Sequence, residues 1–147
     1  MSNPPDIAHI ANHCLAARVR TLSRGISALY QDALSGLGIK VSQLNILVAV
    51  ARMGQARPAD LCRVLALDGS TLSRNAERLR AKGWIEASPT KGRGCSYRIS
   101  ESGLALIARA EAGWGKAQQE AEAIFGPDGI ALLEQALTRL RSRPDSP

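Results

Sequence analysis

The sequence predicts a mainly α-helical chain carrying one small β-hairpin, and three observations lead there. Apolar residues recur at three- and four-residue intervals through most of the chain, the period of an amphipathic helix. One stretch departs from that period, Trp84 to Ile99, where two short runs flank SPTKGRGC, a turn-forming segment with two glycines and a proline. Glycines that end helices (Gly36, Gly54, Gly83, Gly126) and residues that open them (Pro58, Asp68, Ser100) punctuate the rest. A length of 147 residues fits one domain, or one domain with an appended interface, and suffices to bury a core.

Taken in order, residues 1–5 hold two prolines and read as a short loose arm. From Asp6 to about Leu37 the spacing predicts one long helix. Its apolar residues Leu15, Val19, Leu22, Ile26, Leu29, Ala33 and Leu37 step by four and three, close to a heptad seam. So long a helix in so small a domain is expected to pack one side on another chain, and Gly36 and Gly38 end it. A second helix runs from Val41 to about Met53, with Ser42 as its expected cap and Leu44, Leu47, Val48 and Ala51 inward. Pro58 suits the first turn of a third, whose apolar residues are Ala59, Leu61, Cys62 and Leu65.

The stretch LCRVLALDGSTLSRNAERLRAKG, Leu61 to Gly83, then reads as two short helices joined by a tight turn. Asp68 can accept from the free N–H groups that open the second helix and favours its positive end. Leu72, Ala76 and Leu79 form the inward stripe, so Ser70, Arg74, Glu77, Arg78 and Ala81 point the other way, with Thr71, Ser73 and Asn75 on the flanks. Short donors followed by arginines suit a helix laid in a DNA major groove, although a solvated amphipathic helix has a similar pattern. Two strands follow, Trp84 to Ala87 and Ser96 to Ile99, around a basic tip. Helix, turn, helix and basic hairpin is the layout of a winged helix-turn-helix. Ser100 caps a return to helix up to Phe125, with Leu104, Ile107, Ala108, Ala112, Ala117, Ala121 and Ile124 on a broad apolar face. Gly126 to Gly129 is a turn, and a last helix from Ile130 to Arg141 turns Leu133, Ala136, Leu137 and Leu140 inward. Helices from both ends thus bracket the centre, an arrangement that is economical if they meet in a dimer interface.

Charge supports a polyanionic partner. The net charge is +6, and the whole excess lies between Arg52 and Arg98, where ten basic residues face four acids; the remainder holds nine of each sign. Phosphate neutralisation accounts for such a concentration, against the alternative of chance clustering. Only five aromatic residues exist, and they form no stacking row for single-stranded nucleic acid. No apolar run approaches a membrane span, and no secretory signal opens the chain, so the expected location is the cytoplasm. Three well-separated cysteines, Cys14, Cys62 and Cys95, compose neither a disulfide framework nor a metal knuckle. No cofactor is implied.

From about Ile7 to Leu140 the chain resembles the MarR family of bacterial transcriptional regulators. The likeness is carried by VSQLNILVAVARMGQARPADLCRVLALDGSTLSRNAERLRAKGWI, the hairpin and the SESG start of the next helix. It implies a homodimer with interlocked N- and C-terminal helices and two winged lobes on successive major grooves of a pseudo-palindromic operator in double-stranded DNA. Members commonly repress a promoter and release it when a small molecule binds or a cysteine is oxidised. The family's recognition helix falls on Ser70 to Lys82, which implies Ser70, Thr71, Ser73, Arg74 and Asn75 near base edges and Arg78 on phosphate. Its wing falls on Pro89 to Arg98, with Lys91, Arg93 and Arg98 as DNA contacts. Where members carry Asp-x-Arg in a wing about one residue longer, this chain has Lys91-Gly92-Arg93, so Arg93 is less constrained and is expected to add affinity more than sequence choice.

The implied division is residues 1–40 (arm and dimerisation helix), 41–99 (winged DNA-binding lobe) and 100–147 (C-terminal dimerisation helices). Cys14 lies where peroxide sensors of the family place a reactive cysteine, and Arg18 and Tyr30 are its candidate helpers; quiet packing is the competing reading, and no cysteine in the last two helices could resolve a sulfenic acid. The other trigger is an aromatic carboxylate or similar lipophile between lobe and dimer helices, with Arg18, Tyr30 and Trp114 as candidate lining. His9 and His13 share a helix face but lack a third metal ligand. An enzyme is not expected, since the chain has no phosphate-binding glycine loop or nucleophile constellation. The function to be set against a sequence-specific repressor is an architectural or protein-interaction module that keeps the winged fold.

Overall fold

The computed structural model describes residues 5–90 and 94–142. Its order is α1 (Ile7–His13), α2 (Leu15–Ala33), α3 (Val41–Met53), α4 (Pro58–Leu65), α5 (Gly69–Ala81), β1 (Ile85–Pro89), β2 (Cys95–Ile99) and α6 (Glu101–Arg141). The mainly helical class with a small hairpin is as expected. Lys91 and Arg93, two of the expected wing contacts, lie outside the described residues.

The first expected helix is broken. Asp6 caps α1 through His9 N–H (2.9 Å), but Cys14 adopts φ −67°, ψ 104° and separates α1 from α2. The break frees carbonyls of the last turn of α1, and the Arg18 guanidinium donates to one of them, on Asn12. The start of α3 also departs from expectation. Its opening N–H groups are met not by Ser42 but by two glutamines: Lys40 N–H donates to Gln43 Oε1 and Val41 N–H to Gln31 Oε1, each at 3.1 Å. Glutamine can reach back to a preceding N–H as one half of a capping box.

One core joins these pieces. Ile46, Leu47 and Val50 of α3, Leu61 of α4, Leu72 and Leu79 of α5, Ile85 of β1 and Leu106 of α6 are buried together. Val48, expected inward, is 46% exposed, because the buried face of α3 is centred on Ile46, Leu47 and Val50. The hairpin is antiparallel, with Ile85 opposite Ile99 and Pro89 opposite Cys95. Ala56, between α3 and α4, extends it: Ala56 N–H donates to Tyr97 O (2.9 Å) and Tyr97 N–H to Ala56 O (2.8 Å). That bridge ties the wing to the helical lobe, and Tyr97, pressed into it, has its phenol pKa raised by burial and by the adjacent Cys95.

The long C-terminal element bends once. At Gly126 (φ 64°, ψ 169°) the backbone leaves the helical region, and Pro127 restarts it, so a single residue does what a four-residue turn was expected to do. α6 packs on α2 and α3. Leu133 and Leu137, expected inward, are each 43% exposed, and Leu15 and Val19 of α2 are more open still. Among the described residues, these seams are left open to solvent. Among the described residues, no helix is long and apolar enough to cross a membrane.

Candidate nucleic-acid interface

The candidate interface is built on α5. The turn leading to it contains no glycine: Ala66 takes the left-handed conformation (φ 51°), ends α4, and lets Leu67 N–H reach Cys62 O at 3.0 Å. Asp68 then caps α5 heavily. Its carboxylate accepts from Ser70 Oγ (2.5 Å), Thr71 Oγ1 (2.7 Å) and Thr71 N–H (2.8 Å). These bonds hold the carboxyl well below the usual carboxylate range, the Ser70 hydroxyl contributing most and the two Thr71 donors next.

Leu72, Ala76 and Leu79 anchor the inner side of α5, which leaves Ser70, Ser73, Arg74, Glu77 and Arg78 exposed. Three of the five expected base-edge residues have side-chain partners within the lobe: Ser70, whose hydroxyl is on Asp68, Thr71 and Asn75. Thr71 is half-buried and its hydroxyl is on Asp68. Asn75 is also half-buried; its Nδ2 donates to Thr71 O (2.9 Å) and its Oδ1 accepts from Gln43 Nε2 (3.3 Å). Both thereby help to hold the helix in place. Gln43 was not singled out by sequence reasoning. It is buried, and one amide joins the start of α3 to the middle of α5. The available signal was a glutamine next to the apolar run of α3.

Arg98 is exposed on β2, directly opposite Glu86 of β1 in the ladder, so the wing contributes a mixed pair there. Arg63, on α4, is drawn to Asp60 at 2.8 Å, an exposed pair worth little to stability. Beside the C-terminal half of α5 lies a small cleft lined by Lys40, Gln43, Arg78, Lys82 and Trp84, among others.

A second cleft, of about 900 Å³, opens between α3, α4 and α6. Leu44, Val48, Leu65, Ile107 and Trp114 are among its apolar lining residues, and Arg52 and Glu111 also line it. Its size suits a small organic ligand. Of the expected lining residues Trp114 is present, while Arg18 and Tyr30 are not. Tyr30 stands behind Trp114, ring centroids 6.5 Å apart, and donates its hydroxyl to Gln118 Oε1. Burial first, and Glu122 second, raise its pKa.

Within the single chain, the side chains of Cys14, Arg18 and Tyr30 have separate surroundings. Cys14 is half-buried at the α1–α2 break, Arg18 is turned to Asn12 and Tyr30 to Gln118. His9 and His13 stack with centroids 4.5 Å apart instead of converging, and among the described residues no group of three or more His, Cys, Asp or Glu could hold a metal.

Comparison with known proteins agrees with this architecture. The MarR family model matches residues 37–94. The multiple antibiotic resistance protein MarR of Salmonella typhimurium is 30% identical over 115 residues, spanning 76% of this chain and 80% of that protein. A cysteine-to-serine mutant of MarR from Escherichia coli, solved in complex with operator DNA, superposes with a TM-score of 0.81 at 25% identity, covering 92% of this chain and 99% of the other. Bordetella bronchiseptica BpsR, whose DNA binding is regulated by 6-hydroxynicotinic acid, shares the fold (TM-score 0.80, 17% identity, 96% of this chain and 100% of that one). Helix-turn-helix, wing and bracketing helices, together with these likenesses, place the chain in the MarR family of winged-helix transcriptional regulators, which bind DNA and are not enzymes.

Proposed function

We propose that this regulator is a homodimeric repressor that reads a pseudo-palindromic operator through α5 and leaves it when a small aromatic acid enters the α3–α4–α6 cleft. The observation that carries the reading is the outward face of α5. Ser70, Ser73, Arg74 and Arg78 are exposed on a helix whose other side is locked by Leu72, Ala76 and Leu79. A rigid helix with exposed short hydroxyls and a guanidinium is what base-edge recognition requires, because arginine can pair with guanine O6 and N7 together. The operator-bound Escherichia coli relative supports the same use of the fold.

The uncovered seams of α2 (Leu15, Val19) and α6 (Leu133, Leu137) favour a second copy as their cover, which makes residues 1–40 and 100–147 the dimer parts and 41–99 the DNA-binding lobe. A chromosome-bound regulator works in the cytoplasm. Release by ligand is favoured over release by Cys14 oxidation because the cleft bridges the lobe to α6, with Arg52 available to a carboxylate and Trp114 to a ring. A ligand shifts DNA affinity only if it binds the free arrangement better than the bound one.

The test is titration of the protein against its own upstream region and a scrambled duplex at about 150 mM salt. It is run alone, with benzoate, and with mild peroxide, for the parent and Cys14→Ser. A repressor should prefer its operator by at least about 10³-fold. Benzoate should weaken that binding in both proteins, and peroxide should leave it unchanged. Loss of binding under peroxide that Cys14→Ser prevents would replace the ligand trigger with a redox one. Equal affinity for any upstream or genomic duplex and the scrambled one would replace the repressor with an architectural protein.

A further inference from the structure

We infer that Lys40 and Lys82 join Arg78 in a phosphate clamp, and that its occupant is the DNA backbone flanking the groove that α5 enters. The inference rests on the proposed DNA-binding role of α5 and adds residues from a second element to it. Arg74, Arg78 and Lys82 are spaced by four along α5 and its C-cap, so they form one stripe that starts beside the exposed N-terminal donors and runs to the helix end. There the stripe meets Lys40, which immediately precedes α3, across the cleft that also includes Gln43 and Trp84.

Three cations share that cleft with no carboxylate in its lining. Among the described residues the ion pair within reach is Arg63 with Asp60, on α4, so Lys40, Arg78 and Lys82 are left without an acidic partner. The helix dipole explains part of this, since cations favour the C-terminal turn where Arg78 and Lys82 sit. It does not explain Lys40, which stands at the opposite, positive end of α3, where a cation is disfavoured. An anion between them satisfies all three at once. The N-terminus of α3 adds its dipole but few donors, because Lys40 and Val41 N–H groups are already taken by Gln43 and Gln31.

A free phosphate would fit the same chemistry. The backbone is favoured because Arg74 and Arg78 make the stripe continuous with the face that meets the base edges, so a duplex lying along α5 passes the cleft. A contact of this kind carries no sequence information and positions the lobe on the duplex.

The test is fluorescence anisotropy of the full chain with a fluorescent random-sequence duplex across a salt series. The proteins are the parent, Lys40→Gln, Lys82→Gln and, as a distant control, Arg139→Gln, each checked by circular dichroism. Lys40→Gln and Lys82→Gln should each weaken binding several-fold and lower the slope of log K against log salt by about 0.9 for each lobe engaged. Arg139→Gln should match the parent. If both lysine variants keep the parent's slope, the clamp is wrong while DNA binding by α5 stands. If the parent binds no duplex, the reading beneath it falls as well. If inorganic pyrophosphate at constant ionic strength protects the parent from heat but not Lys40→Gln, and the slopes are equal, the occupant is a free anion and the backbone assignment is overturned.

Discussion

Gly103 is where α6 leaves the wing, and replacing it with alanine should be costly although it lies in a helix. A Cβ there would stand 2.2 Å from the Trp84 carbonyl oxygen and 2.9 Å from Ile99 Cγ1. Both neighbours are anchored, one as backbone and the other in the β ladder, so the start of α6 must withdraw by about 1 Å to restore an ordinary contact. That movement pulls on bonds fastening the first turn: Ser100 Oγ and Ser102 Oγ donate to Gly83 O at 2.6 and 2.7 Å, and Ser100 N–H donates to Trp84 O at 3.1 Å. Overpacking costs about 1–3 kcal/mol, and each weakened hydrogen bond about 0.5–1.5 kcal/mol. Alanine's better helix propensity returns about 1 kcal/mol. The net expectation is a loss of about 2–4 kcal/mol, or a fall in Tm of roughly 5–12 °C for a chain of this size. Thermal and urea melts at one fixed protein concentration measure it, since a dimer's Tm depends on concentration. Gly69→Ala is the contrast: it opens α5 with nothing within 4 Å and should gain up to about 1 kcal/mol. A Gly103→Ala protein that melts at or above the parent would refute the close-approach reasoning.

Leu79→Ala should lose about 2–5 kcal/mol in urea denaturation, because Leu79 is fully buried on the inner face of α5. Asp68 has a carboxyl pKa depressed on folding, so its contribution is complete above the ordinary carboxylate value of 3.8 and is lost as pH falls below it. Between pH 2 and 5 the parent's Tm should therefore fall more steeply than that of Asp68→Asn, and parallel curves would remove Asp68 as a source of acid sensitivity. Arg74→Ala should cut discrimination between operator and scrambled duplex by about 1–3 kcal/mol, read as the ratio of the two Kd values. An unchanged ratio would displace Arg74 from the base edges.

Much of the fold was legible because its signals are local. The Asp68 cap, Pro58 at a helix start, the Leu72–Ala76–Leu79 stripe and the Gly126 break each act within a turn or two of chain. The residues that report them are therefore neighbours in sequence. The break at Cys14 escaped this reading, since no glycine or proline marks it and the apolar steps on either side run on as if continuous. The same local logic could not report the partners of Thr71 and Asn75. Position on a helical wheel put them on the flank of the outward side, and their polar atoms meet Asp68, the backbone and Gln43, which comes from α3.

By itself, then, the sequence determined the helical class, the order of elements, the capped helix with its outward serines and arginines, and the concentration of positive charge in the centre. Periodicity, capping and charge are properties of short stretches, and their energetics do not wait for the rest of the chain. Only the tertiary structure decided which surfaces those stretches share. It turned Val48 outward into a cleft with Trp114, carried Ala56 to Tyr97 across the wing, and set Lys40 beside Arg78 and Lys82. Each of those meetings joins residues tens of positions apart. Packing of the common core brings them together, and no spacing along the chain records it.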